Sequence, residues 1–314
     1  IASMAGLPSF PRTPAEFDEM FATDHDCIDF LARVRWPSSY QCCACGNREW
    51  WLTARQYVCC TRCRRQQSLK SGTVLQDSRY PLKTWLEVAW HVCEQKNGIS
   101  ALGLQRAMGF GSYNTAWEWL HRMRRVMVRP GRSLLRGEVE VDETLIGGVK
   151  HGKRGRGAAG KTLVLIAAEM RGVAIGRIRL QIIPDASAET LEGAIKEVVE
   201  PGSEIVTDGW KSYLGLPVQG YIHTISRHPT HLPENVGSNL LPHVHRVAAL
   251  VKRWLLGTHQ GSVRPRQLQF YLDEFVFRFN RRTSSNRGML FRSLVEQMIA
   301  HRPITRQQLI NRRL

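Results

Sequence analysis

Gly137–Gly148 reads GEVEVDETLIGG. Val139 and Val141 alternate with Glu138, Glu140 and Asp142, the period of a half-buried strand, and Gly147-Gly148 stops it. A carboxylate at the end of such a strand, beside a glycine turn, is well placed to hold a metal. Taken alone, the stretch fits an edge strand with a solvated acidic face equally well. Ser203–Asp208 (SEIVTD) tips the balance: it is a second short apolar strand ending in an aspartate, followed by Gly209-Trp210. Two strands that each deliver one Asp at the C-terminal end predict carboxylates converging on divalent metal. Two-metal phosphoryl transfer needs such oxygen ligands to clamp the attacking and leaving oxygens of a phosphodiester.

The flanking sequence extends this pattern. Lys150–Lys161 (KHGKRGRGAAGK) is a basic, glycine-rich loop without Walker spacing, so it reads as an arm on DNA backbone and excludes nucleotide binding. Strands are predicted over Thr162–Met170 and Ala174–Ile183, an amphipathic helix over Asp185–Val199, and a last short strand around Tyr221–Ile225. Three strands, a helix, a strand and further α/β structure match the order of an RNase H-like core. Pro242–Leu256 reads as a helix on which His245 and Lys252, seven apart, share a face. A second helix, Gln267–Arg282, is strongly apolar on one side. Five of the eleven histidines fall at His223, His228, His231, His243 and His245, but no pair has a convincing metal-ligand spacing.

The N-terminal part differs in kind. Pro14–Trp36 reads as one or two short helices. Cys42 and Cys45 form one C-x-x-C knuckle and Cys60 and Cys63 another, with Trp50, Trp51, Leu52 and Tyr57 suggesting a hairpin between them. Four thiolates in that arrangement predict a closed structural zinc ribbon, with Cys43 and Cys59 as adjacent extras. Arg62, Arg64 and Arg65 crowd the second knuckle and suit phosphate contacts. Pro81–Gln95 reads as a helix, and Gly98–Val128 as helix–turn–helix, with Ser100 and either Ser112 or Asn114 as N-caps. Arg122, Arg124 and Arg125 lie at its end, and Arg129-Pro130-Gly131 reads as a linker. Trp117 and Trp119 cannot both face the core.

Composition agrees with this division. The 314 residues have room for two or three domains, and 43% of them are hydrophobic, enough for real cores. There are 44 Lys+Arg against 27 Asp+Glu, a formal +17, which points to a polyanionic partner, most simply nucleic acid. Eight cysteines in a chain expected to be cytosolic argue for metal rather than disulfides. No apolar run approaches the ~20 residues of a membrane span, and Ile1–Thr13 lacks the charged and apolar regions of a signal peptide.

The words RWPSSYQCCACG, CTRCRRQQSLKSGTVL, SALGLQRAMG, YNTAWEWLHRMR, VEVDETLIGG, IVTDGWKSY, PHVHRVAALVKRWLLGTHQG and YLDEFVFRFNRR complete the picture. Over roughly residues 14–300 the chain resembles insertion-sequence transposases that join an N-terminal zinc ribbon to a DDE-type catalytic domain of the retroviral-integrase (RNase H-like) fold. The resemblance implies an α/β multidomain chain: an N-terminal helical segment (14–40), a zinc ribbon (41–75), a helix-turn-helix region (80–130), a catalytic domain (136–285) and a helical tail (286–314). It makes Asp142 and Asp208 the first two metal-binding acids, His245 the third ligand and Lys252 its basic partner. Here His245 departs from the Glu of the general pattern, though members of the group carry Asn or His there. Glu143 and Glu274 are candidates to supply the missing charge.

By the same resemblance, Mg²⁺ or Mn²⁺ serves catalysis and Zn²⁺ the ribbon. The partners are double-stranded DNA, as terminal inverted repeats and as target, with no membrane, and the protein works as a homodimer or larger assembly near the nucleoid. Lys153, Arg154 and Arg156 join the other arginines as DNA contacts. The implied reaction is strand cleavage followed by strand transfer. A zinc-ribbon regulator, a junction-resolving nuclease and a decayed element that binds ends without cutting stand as alternatives.

Overall fold

A computed structural model describes residues 9–147, 161–226, 240–261 and 263–310. The chain divides into two units: residues up to 129 together with those from 283 on, and Pro130–Arg282. In the first, helices α1 (Pro14–Met20) and α2 (Asp24–Arg35) start at Thr13 and Thr23, whose hydroxyls accept from the backbone N–H groups of Glu16 and Asp26. Asp26 accepts in return from the Thr23 N–H, a reciprocal capping box. Strands β1 (Trp50–Leu52), β2 (Tyr57–Cys60) and β3 (Gln66–Ser68) pair antiparallel in that order, so the expected hairpin gains a third strand. Helices α3 (Leu82–Glu94), α4 (Ala101–Met108) and α5 (Tyr113–Val126) follow. Ser100 caps α4, and Ser112 rather than Asn114 caps α5: Asn114 donates its own N–H to the Ser112 hydroxyl. Between the two helices Gly109 takes φ 63°, the left-handed turn that ends α4.

The second unit is built on a sheet of β4 (Glu138–Ile146), β5 (Thr162–Arg171), β6 (Ala174–Ile182), β7 (Glu204–Thr207) and β8 (Ile222–Ile225). Its order is β6-β5-β4-β7-β8. The pairs β4–β5 and β5–β6 are antiparallel, whereas β4–β7 and β7–β8 are parallel. The sheet is thus mixed, three strands antiparallel and two joined to them in parallel, in the element order expected from the sequence. Helix α6 (Ala188–Val198) crosses between β6 and β7; α7 (Pro242–His259) and α8 (Leu268–Phe279) follow β8. Helix α6 starts later than its apolar period suggests, because Ser187 caps it and Asp185 is folded into a turn onto the Ser187 N–H.

The opening strand is the central one of five, which sets aside the edge-strand alternative, and one expectation for it is corrected. Asp142 lies within β4 rather than at its end: pairing with β5 continues to Ile146, while pairing with β7 covers only Glu138–Glu140.

The strand's alternation sends its side chains to two different cores. Val139 and Val141 join Leu165, Leu191, Ile195, Ile205 and Tyr213 on the α6 face. Ile146 joins Val164, Ile166, Val206, Val247, Val251 and Phe275 on the face covered by α7 and α8. Each such side chain contributes about 1.5–3 kcal/mol by leaving water, so the register of β4 is firmly specified: a one-residue slip would move every carboxylate into the opposite core.

Helices α9 (Gly288–Ala300) and α10 (Arg306–Ile310) return to the first unit. Phe291 of α9 packs there among Phe17, Phe21, Phe30 and Trp90. The C-terminal segment, expected as a small helical tail, thus supplies part of an aromatic core. Among the described residues no helix is long and apolar enough to cross a membrane.

Candidate active site

Four residues singled out from sequence fall in the second unit. The parallel register pairs Glu138 with Glu204 and Glu140 with Val206, and Asp208 follows two residues beyond that ladder, near enough for its charge to act on Asp142. Asp208 follows the last residue of β7 and is exposed, its Oδ1 accepting from the Trp210 N–H at 2.9 Å. The turn needs Gly209, at φ 81°, where a Cβ would come within 2.6 Å of Ile225. His245, in the first turns of α7, brings its Nε2 to 3.2 Å from Asp142 Oδ2. Lys252 lies two turns further along the same exposed side of α7.

The electrostatics tie these groups together. Burial pushes the Asp142 carboxyl above its ordinary value; the Glu143 backbone N–H and the His245 ring oppose the rise, and the charges of Glu143 and Asp208 add to it. Desolvation lowers Lys252, with Lys161 adding to the effect and Asp142 opposing it. A carboxylate whose charge is disfavoured by burial and by two other acids is a natural partner for a cation. Two carboxylates and an imidazole fit a divalent metal such as Mg²⁺ or Mn²⁺, with His245 the softer and uncharged donor. The trio is not drawn together as tightly as four thiols elsewhere in the chain.

Two further acids on β4 have assignments that the sequence did not reveal. Glu140, 2% exposed, accepts from the backbone N–H groups of His243 (2.8 Å) and Val244 (2.9 Å), and its Oε1 lies 2.6 Å from His243 Nδ1. Glu143, on the opposite face, accepts the hydroxyl of buried Tyr213 at 2.7 Å. Tyr213 follows Asp208 by five residues, so this bond fastens the Asp208 turn to β4. Burial and the neighbouring acids push the Tyr213 hydroxyl well above its ordinary range, keeping it a donor. Glu274 is buried in α8 and pairs with Arg278 at 3.0 Å. Signals for Glu140 existed: it shares the alternation phase of Asp142, and Leu241-Pro242 offers no side-chain cap of its own.

Among the described residues, the other histidines of the histidine-rich stretch are engaged separately. His223 Nε2 lies 2.8 Å from the Thr207 hydroxyl, and His243 is engaged by Glu140. His228 and His231 lie outside the described residues, as do Lys153, Arg154 and Arg156.

In the first unit the Sγ atoms of Cys42, Cys45, Cys60 and Cys63 all lie within 4.8 Å of one another. Cys42–Cys63 is 3.5 Å and Cys45–Cys60 is 3.6 Å. A tetrahedron with Zn–S bonds of ~2.3 Å has edges of ~3.8 Å, so the thiols match the expected knuckles. Cys43 and Cys59 stand outside the group. The Ala44 backbone N–H leads in holding the Cys42 thiol down to about 6, and the Cys63 N–H leads in lowering Cys60. Backbone donors aimed at sulfur favour thiolate, the form that binds metal.

Arg62, Arg64 and Arg65 are exposed beside this cluster. At the end of α5, Arg122 and Arg125 are half-buried. Arg124 is 2% exposed, with Nη1 3.4 Å from the His121 ring, which withdraws it from a surface that a duplex could reach. Trp119 is buried against Trp85, and Trp117 is the more open of the two tryptophans.

Residues 134–280 match the family model for the ISXO2-like transposase domain. A transposase-like protein of Haemophilus influenzae is 28% identical over 115 residues, covering 37% of this chain and 90% of that protein. The crystal structure of the catalytic core domain of BIV integrase aligns with 48% of this chain and 85% of its own at 14% identity, with a TM-score of 0.30. The stretch that holds Asp142, Asp208, His245 and Lys252 is thus the one that matches the ISXO2-like transposase domain, and it is to transposases that the chain is similar.

Proposed function

We propose that the protein is a DDE-type DNA transposase that binds the terminal inverted repeats of an insertion sequence and catalyses their metal-dependent cleavage and transfer to target DNA. The coarser statement, a transposase domain of the polynucleotidyl-transferase kind, follows from the family match. The finer one is supported above all by one arrangement: Asp142 within reach of the Asp208 charge, with His245 Nε2 3.2 Å from Asp142 Oδ2.

In this reading Asp142, Asp208 and His245 would hold Mg²⁺ or Mn²⁺. When bound, the ions would supply the positive charge that makes an attacking oxygen nucleophilic and offsets charge building on the phosphate. Cleavage breaks the P–O3′ bond at the element's end: water adds to phosphorus, and the 3′-hydroxyl leaves on the element. In transfer that hydroxyl attacks a target phosphate in line, and the target's own 3′-oxygen departs. Lys252 steadies the phosphate or terminal nucleotide. Zn²⁺ in the four-thiol group shapes the ribbon, whose arginines, with the helix-turn-helix region, recognise the repeats. Joining two ends to one target calls for a dimer or larger assembly on nucleoid DNA.

One observation favours a second reading, a chain that binds ends without cutting: His245 stands where the general pattern has Glu. Incubating the purified protein with pre-cut ends and a plasmid in Mn²⁺ or Mg²⁺ separates the readings. Joined product supports the transposase. Specific end binding without joining in either metal supports the regulator, and cutting that follows branched structure alone supports a junction-resolving nuclease.

A further inference from the structure

We infer that Glu140 is the positioning residue that sets His245 against Asp142. The inference rests on the transposase reading for its consequence in catalysis, but its geometry stands without metal or DNA. Helix α7 begins at Leu241-Pro242, where the N-cap side chain makes no capping hydrogen bond and Pro242 has no N–H to satisfy. The next two N–H groups, of His243 and Val244, both end on Glu140 Oε2, at 2.8 and 2.9 Å. The other carboxylate oxygen lies 2.6 Å from His243 Nδ1. A helix start whose own sequence supplies no acceptor is therefore capped by a side chain from the central strand. Negative charge there is also favoured by the helix dipole.

This contact does more than cap. Glu140 and Asp142 are two residues apart on one strand and project from the same face, as the period of a strand requires. His243 and His245 are two residues apart on the helix. Fixing Glu140 to His243 and Val244 at three points leaves α7 one axial setting, and in that setting His245 Nε2 reaches Asp142 Oδ2. Both Glu140 and His243 are buried, at 2% and 9% exposure, so the clamp is shielded from water. Of the acids at Glu140, Asp142 and Glu143, then, one faces His245. The other two fasten the elements that carry its partners: Glu140 holds the His245 helix, and Glu143, through Tyr213, holds the Asp208 turn.

The test uses the full-length, zinc-loaded protein with two readouts. The first is hydrogen exchange without divalent metal or DNA in the peptide covering 242–250, for the parent, Glu140→Gln and Glu140→Ala. Protection should fall about tenfold or more in Glu140→Ala. Glu140→Gln, which keeps an acceptor oxygen, should fall less, while peptides of α2 and α3 stay unchanged. The second is a double-mutant cycle on strand transfer. Glu140→Gln should slow joining about 10-fold in the parent, the usual size of effect for a group that orients a ligand. It should add little once His245 is already Ala. Unchanged exchange in folded Glu140 variants overturns the inference, as does an equal loss of joining in both backgrounds. If the parent joins no DNA, the transposase reading fails, and the exchange readout still decides whether Glu140 clamps α7.

Discussion

Asp142 sits where its own charge is least welcome: burial and the charges of Glu143 and Asp208 all push its carboxyl up. If Asp142 holds metal as proposed, its placement trades stability for function. We expect Asp142→Asn to fold with a thermal midpoint no lower than the parent's in metal-free buffer while strand transfer drops to background; a large loss of stability would instead give Asp142 a structural role. Asp142 and Asp208 stood out in the sequence as acids on short apolar strands, while His245 and Lys252, a seven-residue pair on one helix, took their roles from the family resemblance; the structure sets His245 beside Asp142. Glu140 and Tyr213 were not legible, because their roles are contacts across 103 and 70 residues of chain. Arg124 misled for a related reason: a basic cluster at a helix end does not say which member the helix turns inward.

At the scale of elements, alternation and short apolar runs located the strands of the second unit among the described residues, and the differences lay at the ends. The start of α6 was decided by Ser187 and Asp185, and the length of β4 beyond Asp142 by pairing with β5. The β5–β6 pair carries a pH-sensitive clasp. Glu169, 4% exposed, accepts from the backbone N–H groups of Arg136 and Arg177 and pairs with the Arg177 guanidinium. Burial raises its carboxyl, but the Arg177 and backbone donors outweigh that and hold it below its ordinary value of 4.5. A depressed folded pKa gives stability that is present above the unfolded value and lost as pH falls through the folded one. Glu169→Gln should therefore cost about 2 kcal/mol at neutral pH and flatten the acid limb of a denaturation series. A parallel shift at every pH would contradict this. The ribbon is the second element with its own test. Metal analysis should find about one zinc per chain, and Cys60→Ser should lose it and unfold β1–β3, since such sites contribute ~10–16 kcal/mol to folding. Exposed Cys43→Ser should leave zinc content unchanged.

The whole molecule carries a formal +17, an excess suited to DNA phosphates. Affinity for duplex should fall steeply with salt. Replacing Arg62, Arg64 and Arg65 with Ala should reduce the slope of log K against log salt by up to ~2.7, at about 0.9 per phosphate released. An unchanged slope would move the contacts elsewhere. The proposed function turns on Asp142, Asp208 and His245 acting as one centre in joining DNA ends. Its most direct test is single-turnover joining of pre-cut ends in Mn²⁺ by the parent, Asp142→Asn, Asp208→Asn, His245→Ala and His245→Glu, each shown to bind the ends as the parent does. The expected result is joining by the parent, none by either Asp variant, a marked fall for His245→Ala and activity retained in His245→Glu. Joining that survives Asp142→Asn or Asp208→Asn would contradict it.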